Sequence, residues 1–177
     1  MRPEGPAPAG TPAAPIRVCF VCTGNICRSP TAEVVLRARL AEAGWTDAVV
    51  VDSAGTGPWH AGKDMDPRAR QALVRRGYVP PVHVARQFQA ADFAGRDLVI
   101  ALDAGHLARL GQLARLADDP ADAAASISLL RSYDPAAVEG ELDVPDPYYD
   151  GDAEFEAALA QIEAACTSLA QLLLQRQ

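Results

Sequence analysis

Residues 21–30 of the chain read VCTGNICRSP. The β-branched run that ends at Cys22 predicts a buried strand, the pair Gly24 and Asn25 predicts a tight turn, and the Ser-Pro pair that follows Arg28 predicts the start of a helix. In open α/β sheets ligands bind at the carboxyl ends of the strands, and a helix N-terminus presents several free N–H groups. The stretch therefore predicts a strand, loop and helix unit that binds an anion.

The rest of the chain alternates between short apolar runs and helical patterns. Four runs rich in β-branched residues predict buried strands at residues 17–22, 48–52, 98–103 and 126–130. Helical patterns predict three helices, at residues 30–43, 67–76 and 105–116. Short apolar strands separated by helices imply crossover connections. The sequence therefore predicts a single α/β domain with a central four-stranded, parallel, twisted sheet, helices on both faces, and a Rossmann-like arrangement.

The C-terminal part of the chain predicts a long helix that docks on the sheet. Its apolar residues recur at steps of three and four and form one stripe. The stripe consists of Phe155, Leu159, Ile162, Cys166, Leu169 and Leu173.

Composition excludes several classes of protein. The 177 residues suit one domain, with 49% apolar and 22% charged residues, and four cysteines are too few for a disulfide scaffold. The chain has no basic stripe and no run of about 18 apolar residues, so neither a nucleic acid nor a membrane is predicted as a partner. We expect a cytoplasmic monomer with reduced thiols.

Two segments differ in composition from the rest. Residues 1–16 hold five prolines and small residues without an apolar core, which predicts a disordered N-terminal tail before a domain at residues 17–177. The net charge is −7, from 23 acids and 16 bases, and residues 139–156 hold eight of those acids and no base. The negative charge therefore belongs to one segment.

Cys22 lies at the centre of the predicted anion site, with five residues between it and Arg28. A helix N-terminus and a nearby guanidinium both stabilise a thiolate, and Arg28 can bind two phosphate oxygens at once. Gly24 and Asn25 can adopt the left-handed conformation that turns successive N–H groups inward. The hydroxyl of Ser29, the expected N-cap, is placed to donate to the sulfur. These residues predict a nucleophilic thiolate aimed at a bound phosphate.

At this point the chain resembles the low-molecular-weight protein tyrosine phosphatases, whose Cys-x5-Arg-Ser/Thr signature reads here VCTGNICRSP. Other landmarks of the family occur in its order. They are SAGTGPWHAG at 53–62, DPRA at 66–69, HVARQF at 83–88, ALD at 101–103 and DVPDPYYDG at 143–151. The resemblance covers most of residues 18–175. It implies a phosphotyrosine phosphatase I-like fold, a catalytic domain over residues 17–177, and hydrolysis of phosphotyrosine in proteins through a phosphocysteine on Cys22.

The resemblance also implies a role for each matching residue. Asp146 would be the general acid and then the general base, while Arg28 and the loop amides would bind phosphate. The substrate-binding set is Thr23, Gly24, Asn25, Ile26, Cys27, Ser29, Trp59, Tyr148 and Tyr149. Of these, Trp59, Tyr148 and Tyr149 would form aromatic walls. Inorganic phosphate would be the product, and no metal or cofactor is implied.

Four residues would support the loop, and one of them, Asn25, also belongs to the substrate-binding set. Ser53 and His83 match positions that hold the loop asparagine, Asn25, in its strained conformation, and Asp103 matches a carboxylate that orients Arg28. Cys27 is a possible redox partner of the nucleophile.

The remaining cysteines and histidines have simpler interpretations. Cys19 and Cys166 are expected in the core, and His60 and His106 at the surface. A metal site at the cysteines is disfavoured because Cys19 and Cys22 lie on a β-branched run rather than a knuckle.

Three other functions stay open. An arsenate reductase of the same fold would need further cysteines, whereas the interval between Asn25 and Asp146 holds only Cys27. A protein arginine phosphatase of this family carries threonine where this chain has Ile26. A catalytically inactive phosphate-binding module would need no acid, so the presence of Asp146 argues against it.

Overall fold

The computed structural model describes residues 14–176, and its centre is a four-stranded parallel sheet in the order β2-β1-β3-β4. The strands are β1 (Ile16–Cys22), β2 (Val49–Gly55), β3 (Leu98–Ala101) and β4 (Ile127–Leu129). The helices are α1 (Arg28–Glu42), α2 (Pro67–Arg75), α3 (Ala104–Ala114), α4 (Pro120–Ala125) and α5 (Asp152–Leu174). Two 3₁₀ turns span Ala90–Phe93 and Leu130–Tyr133. The predicted α/β domain with a parallel sheet is confirmed.

Strand β1 is the centre of the core because both of its faces are covered. Successive side chains of a strand point to opposite faces. Phe20 and Cys22 therefore lie in the cluster beneath α1 and α5, whereas Cys19 and Val21 lie in the cluster beneath α3. The apolar sequence of β1 thus reflects burial on two sides.

Helix α5 packs as its apolar stripe predicts. All six residues of the stripe are buried. By length and composition alone this helix could also cross a membrane, with a mean hydropathy of 1.4. In the structure its stripe is part of the core cluster that contains Leu36 and Leu40 of α1.

Several element boundaries differ from the sequence prediction. Helix α1 begins at Arg28 rather than residue 30, and its N-cap is Cys27, which makes no side-chain capping bond. The expected N-cap role of Ser29 is therefore wrong, because its hydroxyl points into the site instead. Helix α4 was not predicted, although Asp119 caps it before a proline as Asp66 does for α2.

The predicted tail falls largely outside the described residues, which begin at position 14. Its last residue, Ile16, belongs to β1 and pairs with Val49 of β2. The strand therefore begins one residue earlier than the sequence pattern indicated.

The buried stripe of α5 leads to a prediction on stability. Ile162 is 1% exposed, so Ile162→Ala should lower the free energy of unfolding by about 2–5 kcal/mol. Leu172 lies on the same helix but is 37% exposed, so Leu172→Ala should cost clearly less. Urea denaturation of both variants checks this, and equal losses would contradict the packing described.

Candidate active site

The candidate site lies at the carboxyl end of β1, where the chain turns into α1. The connection from β1 leads through α1 to β2 on one side, whereas β3 lies on the other side of β1. Such a change of direction opens a crevice at the end of the central strand. The loop of residues 23–27 forms the floor of this crevice.

The backbone of the loop presents its N–H groups to the crevice. Among residues 14–176, none accepts a hydrogen bond from the N–H groups of residues 23–28. Asn25 has a φ of 57°, the one positive φ of a non-glycine residue in the described part of the chain. A left-handed residue within such a loop turns successive N–H groups toward one point. The loop therefore has the backbone geometry of an anion-binding site.

Hydrogen bonds hold Asn25 in this costly conformation. Its buried side-chain amide donates to the hydroxyls of Ser29 and Ser53, both at 2.9 Å. Its side-chain oxygen accepts from the N–H of Arg86 at 3.0 Å, and its backbone oxygen lies 2.7 Å from Nε2 of His83. The structure thus brings Ser53 and His83, which the sequence predicted around this turn, to Asn25, and adds Ser29 and Arg86.

The thiol of Cys22 lies at the bottom of the loop. It is 3% exposed, and its Sγ lies 3.0 Å from Oγ of Ser29. The same hydroxyl lies 3.2 Å from the carbonyl oxygen of Ala54. A hydroxyl has one proton to donate, so a thiolate at Cys22 competes with that carbonyl for it.

Arg28 lies beside the thiol and is fixed from behind. It is 4% exposed, and it donates to Asp103 Oδ2 at 2.8 Å and to the carbonyl oxygen of Val144 at 2.9 Å. Burial by itself would raise the pKa of Asp103. The backbone N–H and ring of His106 together with the Arg28 guanidinium outweigh burial, so the pKa of Asp103 lies below its usual range. A charged carboxylate therefore orients the guanidinium.

Asp146 approaches the same guanidinium from the open side. Its Oδ2 lies 3.3 Å from a terminal nitrogen of Arg28, and its side chain is 42% exposed. The other oxygen accepts the N–H of Tyr148 at 3.1 Å. The carboxylate is thus held over the loop while one edge still faces solvent.

A cavity of about 400 Å³ rises from the loop to the surface. Aromatic side chains form its upper walls, which are Trp59, His60, Tyr148 and Tyr149. Tyr148 and Tyr149 meet edge to face with ring centroids 4.9 Å apart. The rings leave a slot between the solvent and Cys22.

Comparison with known proteins agrees with this geometry. Residues 17–177 match the family of low molecular weight phosphotyrosine protein phosphatases. A low molecular weight protein-tyrosine-phosphatase of Streptomyces coelicolor is 57% identical over 86% of this chain and 90% of the relative. The chain belongs to this family.

Solved structures of family phosphatases share the fold. A protein tyrosine phosphatase of Entamoeba histolytica superimposes with a TM-score of 0.83 at 30% identity, over 91% of this chain and 98% of that one. A Drosophila arginine phosphatase gives a TM-score of 0.80 at 33% identity, over 89% and 97%. The solved structures of this fold thus include one described as a tyrosine phosphatase and one described as an arginine phosphatase.

The sequence prediction placed two histidines of the phosphatase, His60 and His106, at the surface. His60 lines the cavity, and its ring approaches the loop so closely that a Cβ at Gly24 would lie 2.6 Å from it. His106 is buried, with 4% exposure, behind the loop. The expectation that both lie at the surface is wrong for His106, because folding places its helix against the strand ends.

Arg68 was also missed, although it lies in the DPRA landmark. It pairs with Asp66 at 2.8 Å and donates to the carbonyl oxygens of Tyr148 and Asp150. Its guanidinium lies 4.7 Å from the ring centroid of Phe155. Arg68 therefore ties the segment that carries Asp146 to the start of α2. The sequence gives no sign of a contact across 80 residues.

The other cysteines are buried, as expected for Cys19 and Cys166. Burial also raises the pKa of Cys27 well above its ordinary value, with the negative charge of Asp66 as a further cause. Its thiol therefore stays protonated near neutral pH. The redox pairing of Cys27 with Cys22 stays a prediction.

Two substitutions test whether phosphate binding needs the left-handed conformation of Asn25. Asn25→Ala should weaken the binding of inorganic phosphate about tenfold or more, because alanine resists a positive φ and restores none of the hydrogen bonds. Asn25→Gly should lose less, because glycine adopts this conformation freely. Isothermal titration calorimetry measures the dissociation constant of inorganic phosphate for both variants. Equal losses would show that the backbone conformation is unimportant.

Proposed function

We propose that this chain is a protein tyrosine phosphatase that hydrolyses phosphotyrosine monoesters through a phosphocysteine intermediate on Cys22. One observation carries the proposal. A buried thiol lies beside loop N–H groups that have no acceptor among residues 14–176, and the guanidinium of Arg28 and the carboxylate of Asp146 meet 3.3 Å apart at the same point. Phosphate binding alone would not need the thiol or the carboxylate.

In the first step the thiolate of Cys22 attacks phosphorus in line with the departing phenol oxygen. The loop N–H groups and Arg28 bind the three equatorial oxygens, where charge accumulates in the transition state. The P–O ester bond breaks as the P–S bond forms. Asp146 donates its proton to the phenolate, so the leaving group departs as a neutral phenol.

In the second step water hydrolyses the phosphocysteine. Asp146, now a carboxylate, removes a proton from the attacking water, and the P–S bond breaks to give inorganic phosphate. The hydroxyl of Ser29, 3.0 Å from the sulfur, donates to the departing thiolate. The enzyme thereby returns to its starting protonation state.

The aromatic walls support phosphotyrosine as the substrate. The slot between Trp59 and Tyr148 places flat rings above the thiol, and stacked aromatic pairs contribute about 0.5–1.5 kcal/mol beyond the burial of apolar area. A short phosphoserine side chain would not reach Cys22 while making these contacts. We place this activity in the cytoplasm, where thiols stay reduced.

An arginine phosphatase is the second candidate, because a structure of that description shares the fold. Ile26 lines the cavity and is 8% exposed. The side chain has no hydroxyl with which to position a water or the substrate nitrogen. Ile26 therefore favours the tyrosine ester.

The nucleophile is tested with p-nitrophenyl phosphate in excess chelator. Wild-type protein should keep its full rate, and Cys22→Ser should lose about 10³-fold or more in kcat, because the thiolate is the attacking group. Loss of wild-type activity with chelator, or a fully active variant, would contradict the mechanism. Faster turnover of a phosphoarginine peptide than of a phosphotyrosine peptide would support the second candidate instead.

The general acid is tested by varying the leaving group. Asp146→Asn should lower kcat for phenyl phosphate by about 10²–10⁴-fold and for p-nitrophenyl phosphate by clearly less, because the nitrophenolate needs little protonation. The matched control is Asp150→Asn, which removes an exposed carboxylate from the same segment and should change neither rate much. Equal losses of Asp146→Asn with both esters would rule out the acid role.

A further inference from the structure

A chain of polar groups behind the phosphate loop joins its first residue, Thr23, to Arg28, which directly follows the loop. Oγ1 of Thr23 lies 2.8 Å from Nε2 of His106, and Nδ1 of that ring lies 3.1 Å from Oδ1 of Asp103. The other oxygen of Asp103 accepts from Arg28 at 2.8 Å. The four residues therefore connect the position after the nucleophile to the guanidinium that would bind phosphate.

The imidazole of His106 is neutral near neutral pH. Burial lowers the pKa of His106 to about 4, and this effect outweighs the charge of Asp103, which acts in the opposite direction. A neutral imidazole carries one proton. Nδ1 makes no hydrogen bond of good geometry with Asp103. A deprotonated Nδ1 would nevertheless direct its lone pair at a carboxylate oxygen 3.1 Å away, which is unfavourable. The proton therefore resides on Nδ1, and Nε2 accepts the hydroxyl proton of Thr23.

Thr23 depends on this hydrogen bond for its position. It is the first loop residue after Cys22 and its side chain is exposed. Its carbonyl oxygen accepts from the N–H of Gly57 at 3.1 Å, which fixes one side of the residue. The bond to His106 fixes the other side, so the free N–H of Thr23 is directed rather than mobile.

His106 and Asp103 both belong to the start of α3, which makes this helix end a rigid support. Asp103 is the N-cap and accepts the backbone N–H of His106 at 2.9 Å. Because both side chains stand on one helical turn, a shift of α3 would move Thr23 and Arg28 together. The start of α3 therefore holds Thr23 and Arg28 in a fixed relative position.

We propose that His106 is a positioning residue, which holds Thr23 and the Asp103–Arg28 pair in a fixed relation and thereby sets the affinity of the loop for a phosphoryl group. The proposal rests on the proposed function, since it concerns the same site. His106 does not touch the substrate in this scheme.

Two substitutions of His106 distinguish the contribution of Nδ1 from that of Nε2. His106→Asn keeps an N–H near the place of Nδ1 and loses the acceptor for Thr23, whereas His106→Gln places an amide oxygen near the position of Nε2. Thr23→Val removes the hydroxyl at constant shape. Inorganic phosphate is the probe, and isothermal titration calorimetry gives its dissociation constant for each folded variant.

Thr23→Val and His106→Asn should each weaken phosphate binding about 3- to 10-fold, the effect of one lost hydrogen bond. The double variant should be no weaker than either single one, because both remove the same bond. His106→Gln should stay within about twofold of wild type. The same losses should appear in kcat/KM for p-nitrophenyl phosphate.

A general loss of stability is the competing explanation, and Leu110→Ala is the control for it. Leu110 is fully buried on the same helix, so this variant should melt at a lower temperature and bind phosphate as wild type does. Additive losses in the double variant, or unchanged binding in Thr23→Val, would overturn the proposal. Thr23→Val alone decides the matter if the His106 variants do not fold.

These experiments distinguish a failure of the inference on His106 from a failure of the proposed function. A wild-type protein that binds phosphate but hydrolyses no phosphotyrosine would contradict the proposed function, and the phosphate titrations would still show whether Thr23 and His106 are coupled. A phosphatase with uncoupled Thr23 and His106 would contradict the inference on His106 alone.

Discussion

The site depends on the buried amide of Asn25 more than on any other contact. A left-handed backbone costs about 1–2 kcal/mol for most residues, and here it turns the loop N–H groups toward one point. The hydrogen bonds that offset this cost reach α1 through Ser29, β2 through Ser53 and the segment after α2 through His83. The loop therefore keeps its shape only when all three parts of the fold are in place.

Charge is arranged around this loop in two layers. The first consists of the N–H groups and Arg28, which attract an anion although the whole chain carries −7. The second consists of Asp103 behind the guanidinium and Asp146 in front of it. Asp103 is fixed and charged and orients Arg28, whereas Asp146 remains half exposed, which suits the acid and base role that we propose for it. Two like residues thus differ in their surroundings, because hydrogen bonds from His106 and Arg28 fix Asp103 whereas Asp146 stays open to solvent.

The sequence predicted the sheet and the long helix well because their apolar residues are ordered along the chain itself. The β-branched runs of β1 and β2 and the stripe of α5 follow the periodicity of their elements, whatever they pack against. Boundaries were less predictable. Helix α1 begins two residues early, at Arg28, because Cys27 of the loop and not Ser29 is its N-cap. Helix α4 has six residues and too little periodicity to stand out.

By itself the sequence determined the strand and helix order, the spacing of Cys22 and Arg28, and the resemblance that drew attention to Asp146. Only the tertiary structure decided that His106 lies beneath the loop and that Arg68 ties down the segment of Asp146. Both contacts join residues about 80 positions apart, and local patterns carry no information on such pairs. The packing of α2 against α5 and of α3 against β3 and β4 brings these groups together, because that packing fixes which side chains share one small volume.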